Sequence, residues 1–349
     1  MHNKGLVLAA VLVIGIILAG EVYIYTFNSN DTYHIDTSMT DESVSYSVYS
    51  GISTHYDVVV VDNGDFVKTE RYYIYYDESY KSNLNDVFQP IGSEKLDQGY
   101  YVSQLSRQLS NRGIETIMVD AKGLGDRLQN DIDTGKCNNG LIVVSGALPD
   151  TVYKGLGSDL IFDWVTAGGR LYWVGNAIGS CYSTVNEIVN VGGDYQSMFF
   201  GVSDCLNLNG PEKAYSDDVS NDFRYSLSLS SNDLRYAPNR SLIPESKTAG
   251  YTDGDYSSVT FVGRGQGMIC IVAGDYSNDQ RADLAQLIGA HICHKSEMIL
   301  HESGDVTRGS TGNKVDVTVP SGNEVIYTYL GGYYLVFARG DCYYDHAKV

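Results

Sequence analysis

The chain has 349 residues, a formal net charge of −19 and a hydrophobic content of 43%. That length accommodates one large or two modest domains, and the apolar fraction supports a real core. So acidic a chain excludes a nucleic-acid partner, because no basic patch is present to neutralise phosphates.

Leu6 to Ala19 is apolar throughout apart from Gly15. Together with Val22, Tyr23, Ile24, Tyr25 and Phe27 it approaches the ~20 residues of a membrane-spanning helix. Lys4 precedes the run, and Asp31, Asp36, Asp41 and Glu42 follow it. That asymmetry places the N-terminus in the cytoplasm and the bulk of the chain outside. Residues 1–27 are therefore expected to form a single-pass anchor in the cell membrane, with a cleaved signal peptide as the rival reading. Residues 28–69 form an expected β segment. Ser43 to Tyr49 alternates Ser with Val and Tyr, and the apolar run Asp57 to Asp62 stops at Asn63-Gly64, a turn signal.

Residues 70–294 read as an α/β domain. Arg71 to Tyr76 is a strand by composition. Asp97 to Arg112 is an amphipathic helix with Tyr101, Leu105 and Leu109 on one face, ended by Gly113. Ile114 to Val119 is the next strand and Leu124 to Ile132 the next helix. Gly140 to Ser145 has the apolar pattern of a strand buried on both faces. Asp159 to Ala167 is a short helix closed by Gly168-Gly169, and Arg170 to Val174 is a strand running into a tight turn, Gly175 to Gly179. A helix is expected over Ser183 to Val189. Gly192 to Ser257 lacks strong periodicity and reads as an insertion. Val259 to Val262 and Gly267 to Val272 flank a hairpin turn, and Ser277 to Gln280 is a capping box that opens the last helix. From residue 295 to 349 the pattern returns to β, with strands at Lys314 to Val319, Glu324 to Tyr329 and Tyr333 to Ala338. This C-terminal module is expected to pack with the N-terminal β segment.

The order strand, helix, strand, sharp turn resembles the class I glutamine amidotransferase-like superfamily. Its last turn carries a G-x-C-x-G nucleophile elbow, and here Gly175 and Gly179 hold the glycine positions while Ala177 stands where the cysteine would be. The family's histidine has no counterpart after Gly267 to Gly274, where Asp275-Tyr276-Ser277 follows. The resemblance implies a flavodoxin-like, amidotransferase-like parallel sheet with flanking helices. It also implies a scaffold without its nucleophile.

In open parallel sheets, ligands bind beyond the carboxyl ends of the strands. The residues falling there are Asp77, Glu78, Asp120, Ser145, Asn176 and Asp275. Carboxylates and short polar side chains of this kind suit a polyol, although strand ends are also turn-capped for local reasons. Asp77 with Asp120, or Glu78 in place of one of them, is the candidate acid/base pair. His291, Cys293 and His294 share the end of the last helix, but Cys293 has a competing disulfide role and no metal site is expected. Gly123-Leu124-Gly125 and Gly263 to Gly267 complete neither a dinucleotide nor a P-loop pattern, so no cofactor is expected. Six cysteines in an exported chain suggest disulfides, with Cys181–Cys205 and Cys293–Cys342 as the first candidates. Asn30 and Asn239 head glycosylation sequons. The 29 tyrosines suit an adaptable recognition surface as well as half-buried packing. The expected function is a non-catalytic binding or assembly protein of the cell surface, a pseudoenzyme whose partner is a surface protein or glycan. The alternative is an envelope hydrolase acting on a sugar through the strand-end carboxylates.

Overall fold

The structure, a computed structural model, describes residues 21–26, 33–39, 43–50, 54–62, 69–82, 98–214, 229–274, 277–306, 313–318, 324–330, 333–338 and 341–345. The chain divides into two units, one spanning Asn63–Glu297 and one assembled from Met1–Asp62 with Met298–Val349.

The assembled unit begins with four strands, β1 (Glu21–Thr26), β2 (Tyr33–Met39), β3 (Ser43–Ser50) and β4 (Thr54–Asp62). β1 pairs antiparallel with β2, so Val22 to Thr26 belong to a sheet and do not extend the apolar run of Leu6 to Ala19 into a spanning helix. The run itself lies outside the described residues. Among the described residues no helix is long and apolar enough to cross a membrane.

The α/β unit follows: β5 (Tyr72–Tyr75), α1 (Gln98–Ser110), β6 (Thr116–Val119), α2 (Ala121–Thr134), β7 (Gly140–Val143), β8 (Leu148–Pro149), α3 (Leu160–Thr166) and β9 (Arg170–Val174). Beyond these come β10 (Cys181–Ser183), β11 (Ile188–Asn190), α4 (Tyr195–Phe200), β12 (Lys247–Asp253), β13 (Tyr256–Arg264), β14 (Gly267–Val272) and a last helix, α5 (Asn278–Gly289). Seven strands make one sheet in the order β12-β13-β14-β9-β7-β5-β6. The run from β14 to β6 is parallel, and β13 and β12 add to it antiparallel. The fold is therefore α/β around a largely parallel sheet. β12 and the start of β13 fall within the stretch expected as an insertion, and they lengthen the main sheet instead.

The sheet is buried on both faces, which is why its strands read as continuous apolar runs rather than alternating ones. Tyr73, Tyr75, Leu141, Val143, Leu171 and Trp173 share one core with Leu124 and Leu128 of α2 and Ile161, Trp164 and Val165 of α3. α1 and α5 pack on each other across the opposite face. One carboxylate is enclosed in the first core. Asp131 of α2, 4% exposed, accepts from Asn139 Nδ2 (2.8 Å), Trp164 Nε1 (3.1 Å) and the Tyr73 hydroxyl (3.4 Å). A buried acid with three donors holds α2, α3 and the sheet in register, and deleting any one donor leaves the others around an under-satisfied charge.

The helix expected over Ser183 to Val189 is a hairpin instead. Tyr182 pairs with Val189 across β10 and β11, and β10 lies parallel to β8 in a small three-stranded sheet. The physical reason is local turn chemistry. Thr184 Oγ1 accepts from the N–H groups of Asn186 (3.2 Å) and Glu187 (3.0 Å), closing a turn that a helix would have to break.

The chain then returns to the assembled unit through β15 (Glu297–Val306), β16 (Asn313–Thr318), β17 (Glu324–Leu330), β18 (Tyr333–Ala338) and β19 (Asp341–Asp345). The order β1-β2-β3-β16 makes one sheet and β15-β4-β17-β18-β19 another. Each sheet thus contains strands from both chain ends, and the segments read separately as 28–69 and 295–349 are one β unit into which the α/β domain is inserted.

The hairpin between β13 and β14 runs close against the end of α3. A Cβ at Gly267 would collide with the carbonyl oxygens of Gly169 and Val165, neither of which can rotate away. Gly267→Ala should therefore lower stability by about 2 kcal/mol or more through overpacking. Gly192→Ala, which meets nothing within 4 Å, is the control, and thermal melts of both variants check the difference.

Candidate functional site

Because β5, β6, β7, β9 and β14 are parallel, their carboxyl ends lie along one edge of the sheet. Asp77 organises that edge. Its Oδ1 accepts from the backbone N–H of Ser79 (2.9 Å) and from Ser79 Oγ (2.6 Å), while Oδ2 accepts from the N–H of Ala121 (3.0 Å), in the first turn of α2. Partial burial pushes its carboxyl up, but the hydrogen bonds from Ser79 and Ala121 outweigh it and hold the group below the ordinary carboxylate range. Asp120 caps the same helix, accepting from Gly123 N–H at 2.6 Å. Both members of the expected acid/base pair are thus occupied by backbone N–H groups. Such bonds favour an ionised acceptor, so Asp77 makes a poor proton donor.

Other bonds carry the same edge outward. Ala121 passes its carbonyl to Thr151 Oγ1 (2.6 Å), Asp150 N–H reaches Ser183 O (2.9 Å), and Lys81 N–H reaches Thr184 O (3.0 Å). The 76–82 loop, the first turn of α2 and residues 149–151 are joined in this way with the β10 end. The half-buried Asp150 accepts from the Tyr80 hydroxyl at 3.0 Å, and burial followed by this bond raises the Tyr80 phenol. Glu78 is exposed and accepts from the Tyr76 hydroxyl at 2.8 Å. Ser145 lies inside the wall, 4% exposed, with its hydroxyl on Ala147 O (2.5 Å) and its carbonyl accepting from Ser82 Oγ (3.2 Å). Asn176 is half-buried, and Trp173 Nε1 donates both to its carbonyl (2.9 Å) and to that of Gly175 (2.7 Å), which fixes the turn. Asp275 lies outside the described residues.

The strand-end rule missed two contributors. Asp150 follows the two-residue β8, which has no sequence signal of its own. Asp233 and Arg235 come from the irregular stretch before β12, where Asp233 binds Arg235 through Oδ2 to Nη2 at 2.6 Å. Gly274 N–H donates to Arg235 O (2.7 Å), and Gly274 at φ +91° leaves room for the Asp233 carboxylate, into which a Cβ would run. Val272 pairs with Val174, the last residues of neighbouring strands, and Gly274 and Asn176 each follow two residues on.

The amidotransferase resemblance does not stand. Its elbow requires a helix after the turn, and here the turn feeds β10, while Ala177 is 7% exposed beneath it. The reasoning that made the chain a non-enzyme falls with it. A missing cysteine and histidine say nothing about catalysis in a chain without that family's elbow.

Cys181 and Cys205 are separate buried thiols and not a disulfide. Cys181 Sγ lies 3.6 Å from Gly146 O, and burial pushes the Cys205 thiol up to about 11. Cys293 is also a buried thiol, taking a bond from Ser296 Oγ at 3.4 Å, so the pair with Cys342 is not formed. The side chain of Cys342 lies outside what is described. Packing as small hydrophobes explains all three. His294 sits against Gly263, on the edge opposite the rim, and burial, helped by Lys295 and Arg170, pushes its ring down to about 4. No group of three His, Cys, Asp or Glu able to hold a metal occurs among the described residues. Asn239 is half-buried in a turn, its Oδ1 accepting from Ser241 N–H at 3.0 Å. Asn30 is outside the described residues.

No family model matches the chain. No curated protein matches it in sequence either. Solved structures similar to it include an exo-β-1,4-mannosidase from Opitutaceae bacterium strain TAV5, 11% identical, covering 62% of this chain and 33% of that one with a TM-score of 0.34. Another is the β-galactosidase from Rahnella sp. R3, 16% identical, covering 77% and 35% with a TM-score of 0.37. A third is a cytoplasmic protein from Salmonella typhimurium LT2, 14% identical, covering 62% and 97% with a TM-score of 0.36. The chain spans about a third of the length of the two glycosidases. Scores this low carry no argument about what the chain does.

Removing the Asp77 carboxylate frees Ser79 and the first turn of α2 together. Asp77→Ala should destabilise the protein by about 1–3 kcal/mol at neutral pH, the range of charge-assisted hydrogen bonds. The folded carboxyl sits below its unfolded value, so this contribution is present above about pH 4 and is lost as pH falls through the folded value. Denaturant melts of the wild type and the variant across acid pH check both the size and the convergence.

Proposed function

We propose that this chain is a hydrolase acting on a saccharide of the cell envelope, working at the carboxyl edge of its parallel sheet. The observation that carries the reading is how the carboxylates divide there. Asp77 and Asp120 are engaged by backbone N–H groups, whereas Glu78 and Asp150 each accept from a tyrosine hydroxyl, Tyr76 and Tyr80. A glycosidic bond is cleaved by two carboxyl groups, one delivering a proton to the leaving oxygen and the other serving as base or nucleophile on the opposite side. Glu78 and Asp150 are the pair assigned that work. Tyr76 and Tyr80 orient them and offer ring faces and hydroxyls to a sugar, with Asn176 and the Asp233–Arg235 pair extending the polar surface beyond.

The apolar run Leu6 to Ala19 supports export of the chain. With Glu21–Thr26 taken up by a strand, its length suits the 7–15-residue core of a signal peptide better than a span of ~20. Fractionation of expressing cells, with N-terminal sequencing of the mature chain, is expected to find it outside the cytoplasm and shortened. Full-length chain in the cytosol refutes export.

Turnover of a panel of aryl glycosides and envelope oligosaccharides by the full chain tests the activity. Glu78→Gln and Asp150→Asn should each lower kcat by about 100-fold or more, as loss of a general acid or base does, with melting temperature unchanged. Turnover that survives both substitutions removes these residues from the chemistry. Absence of turnover across the panel removes the hydrolase reading itself.

A further inference from the structure

Asp283 of α5 is 1% exposed, and no cation is paired with it among the described residues. Its Oδ1 accepts from Ser230 N–H (2.9 Å) and Ser230 Oγ (3.3 Å), and Oδ2 from Ser231 N–H (2.9 Å). A buried carboxylate with no counter-ion is costly, and here its partners come from a single irregular segment. Two residues further on, that segment places Asp233 over Gly274, and Gly274 N–H holds Arg235 O. The buried Leu234 donates its N–H to Glu212 O (2.9 Å) and passes its carbonyl to Asn207 Nδ2 (2.7 Å). Residues 229–235 therefore lie across the end of β14, and Asp283 is the point where α5 grips them.

We propose that Asp283 is a pH-sensitive latch that holds residues 229–235 across the carboxyl edge of the sheet more firmly in acid than at neutral pH. The charged and titratable groups around it are Asp279 and Arg281 on its own helix and Tyr101 on α1, whose ring Arg281 covers at 5.5 Å. The segment meets the carboxylate through the amides of Ser230 and Ser231 and the Ser230 hydroxyl. Burial pushes the Asp283 carboxyl up to about 6; the Ser230 and Ser231 bonds oppose that rise, and Asp279 adds to it. When the segment lifts, the carboxyl returns to water and to an ordinary value of about 3.9. The seated form thus binds a proton between those values that the lifted form does not. Protonation favours the seated form, and opening becomes easier as pH rises through about 6. Its consequence for access to substrate rests on the rim being the working site; the latch itself is read without any substrate.

Hydrogen exchange of the full chain, corrected for intrinsic rates, measures the latch directly. Protection of the Ser230 and Ser231 amides should be about tenfold lower at about pH 7.5 than at about pH 5 in the wild type, and level in Asp283→Asn. Equal protection at the two pH values, or a dependence that persists in the variant, overturns the proposal. Should the variant fail to fold, the carboxyl carbon of Asp283 in the wild type decides by NMR titration. A midpoint near 6 supports the latch and one near 4 overturns it. None of these readouts involves a sugar, so loss of the latch and loss of the hydrolase reading are separately visible.

Discussion

A single carboxylate sets the geometry of the carboxyl edge of the sheet. Asp77 binds its own loop through one oxygen and the first turn of α2 through the other. Through Ala121 the constraint passes to Thr151, and through the 76–82 loop to Thr184 and Ser145. Each loop alone would be a mobile connection. Tied to one anion at a helix N-terminus, where the dipole adds to the attraction, they become a fixed surface. The same hydrogen bonds favour the ionised form of Asp77, so the residue that shapes the rim is a poor proton donor.

At the opposite edge Asp131 has the corresponding role in the core. It gathers donors from β5, α3 and the turn before β7, and so makes the stacking of α2 and α3 specific as well as apolar. The sheet lies between these two carboxylates, one buried and structural, the other at the boundary with solvent. The exit of β9 into β10 completes the arrangement. A helix there would have closed over the strand ends, whereas the small β8–β10–β11 sheet leaves Asp150 and Tyr80 beside Asp77.

Much of this was legible from residue patterns. Continuous apolar runs at Arg71 to Tyr76, Gly140 to Ser145, Arg170 to Val174 and Gly267 to Val272 lie on β5, β7, β9 and β14, because strands covered on both faces have no polar side to alternate with. Ser277 caps α5 through Gln280 N–H, as the capping-box pattern requires. What failed was short and local. Val185, Ile188 and Val189 have an apolar spacing that fits one turn of helix as well as a hairpin, and the Thr184 turn decides between them. Cysteine number and expected export suggested pairs, whereas Cys181, Cys205 and Cys293 are buried thiols.

Sequence by itself determined the α/β class and most strand and helix positions, since these follow from period, composition and chain direction. It could not determine which carboxylates remain available, because that depends on where backbone N–H groups from distant segments arrive. Ala121 lies 44 residues from Asp77, Asp150 lies 70 from Tyr80, and Ser230 lies 53 from Asp283. Only the folded chain brings those donors and acceptors within hydrogen-bond reach, and a hydrogen bond's short range leaves no trace of its partner in the local sequence.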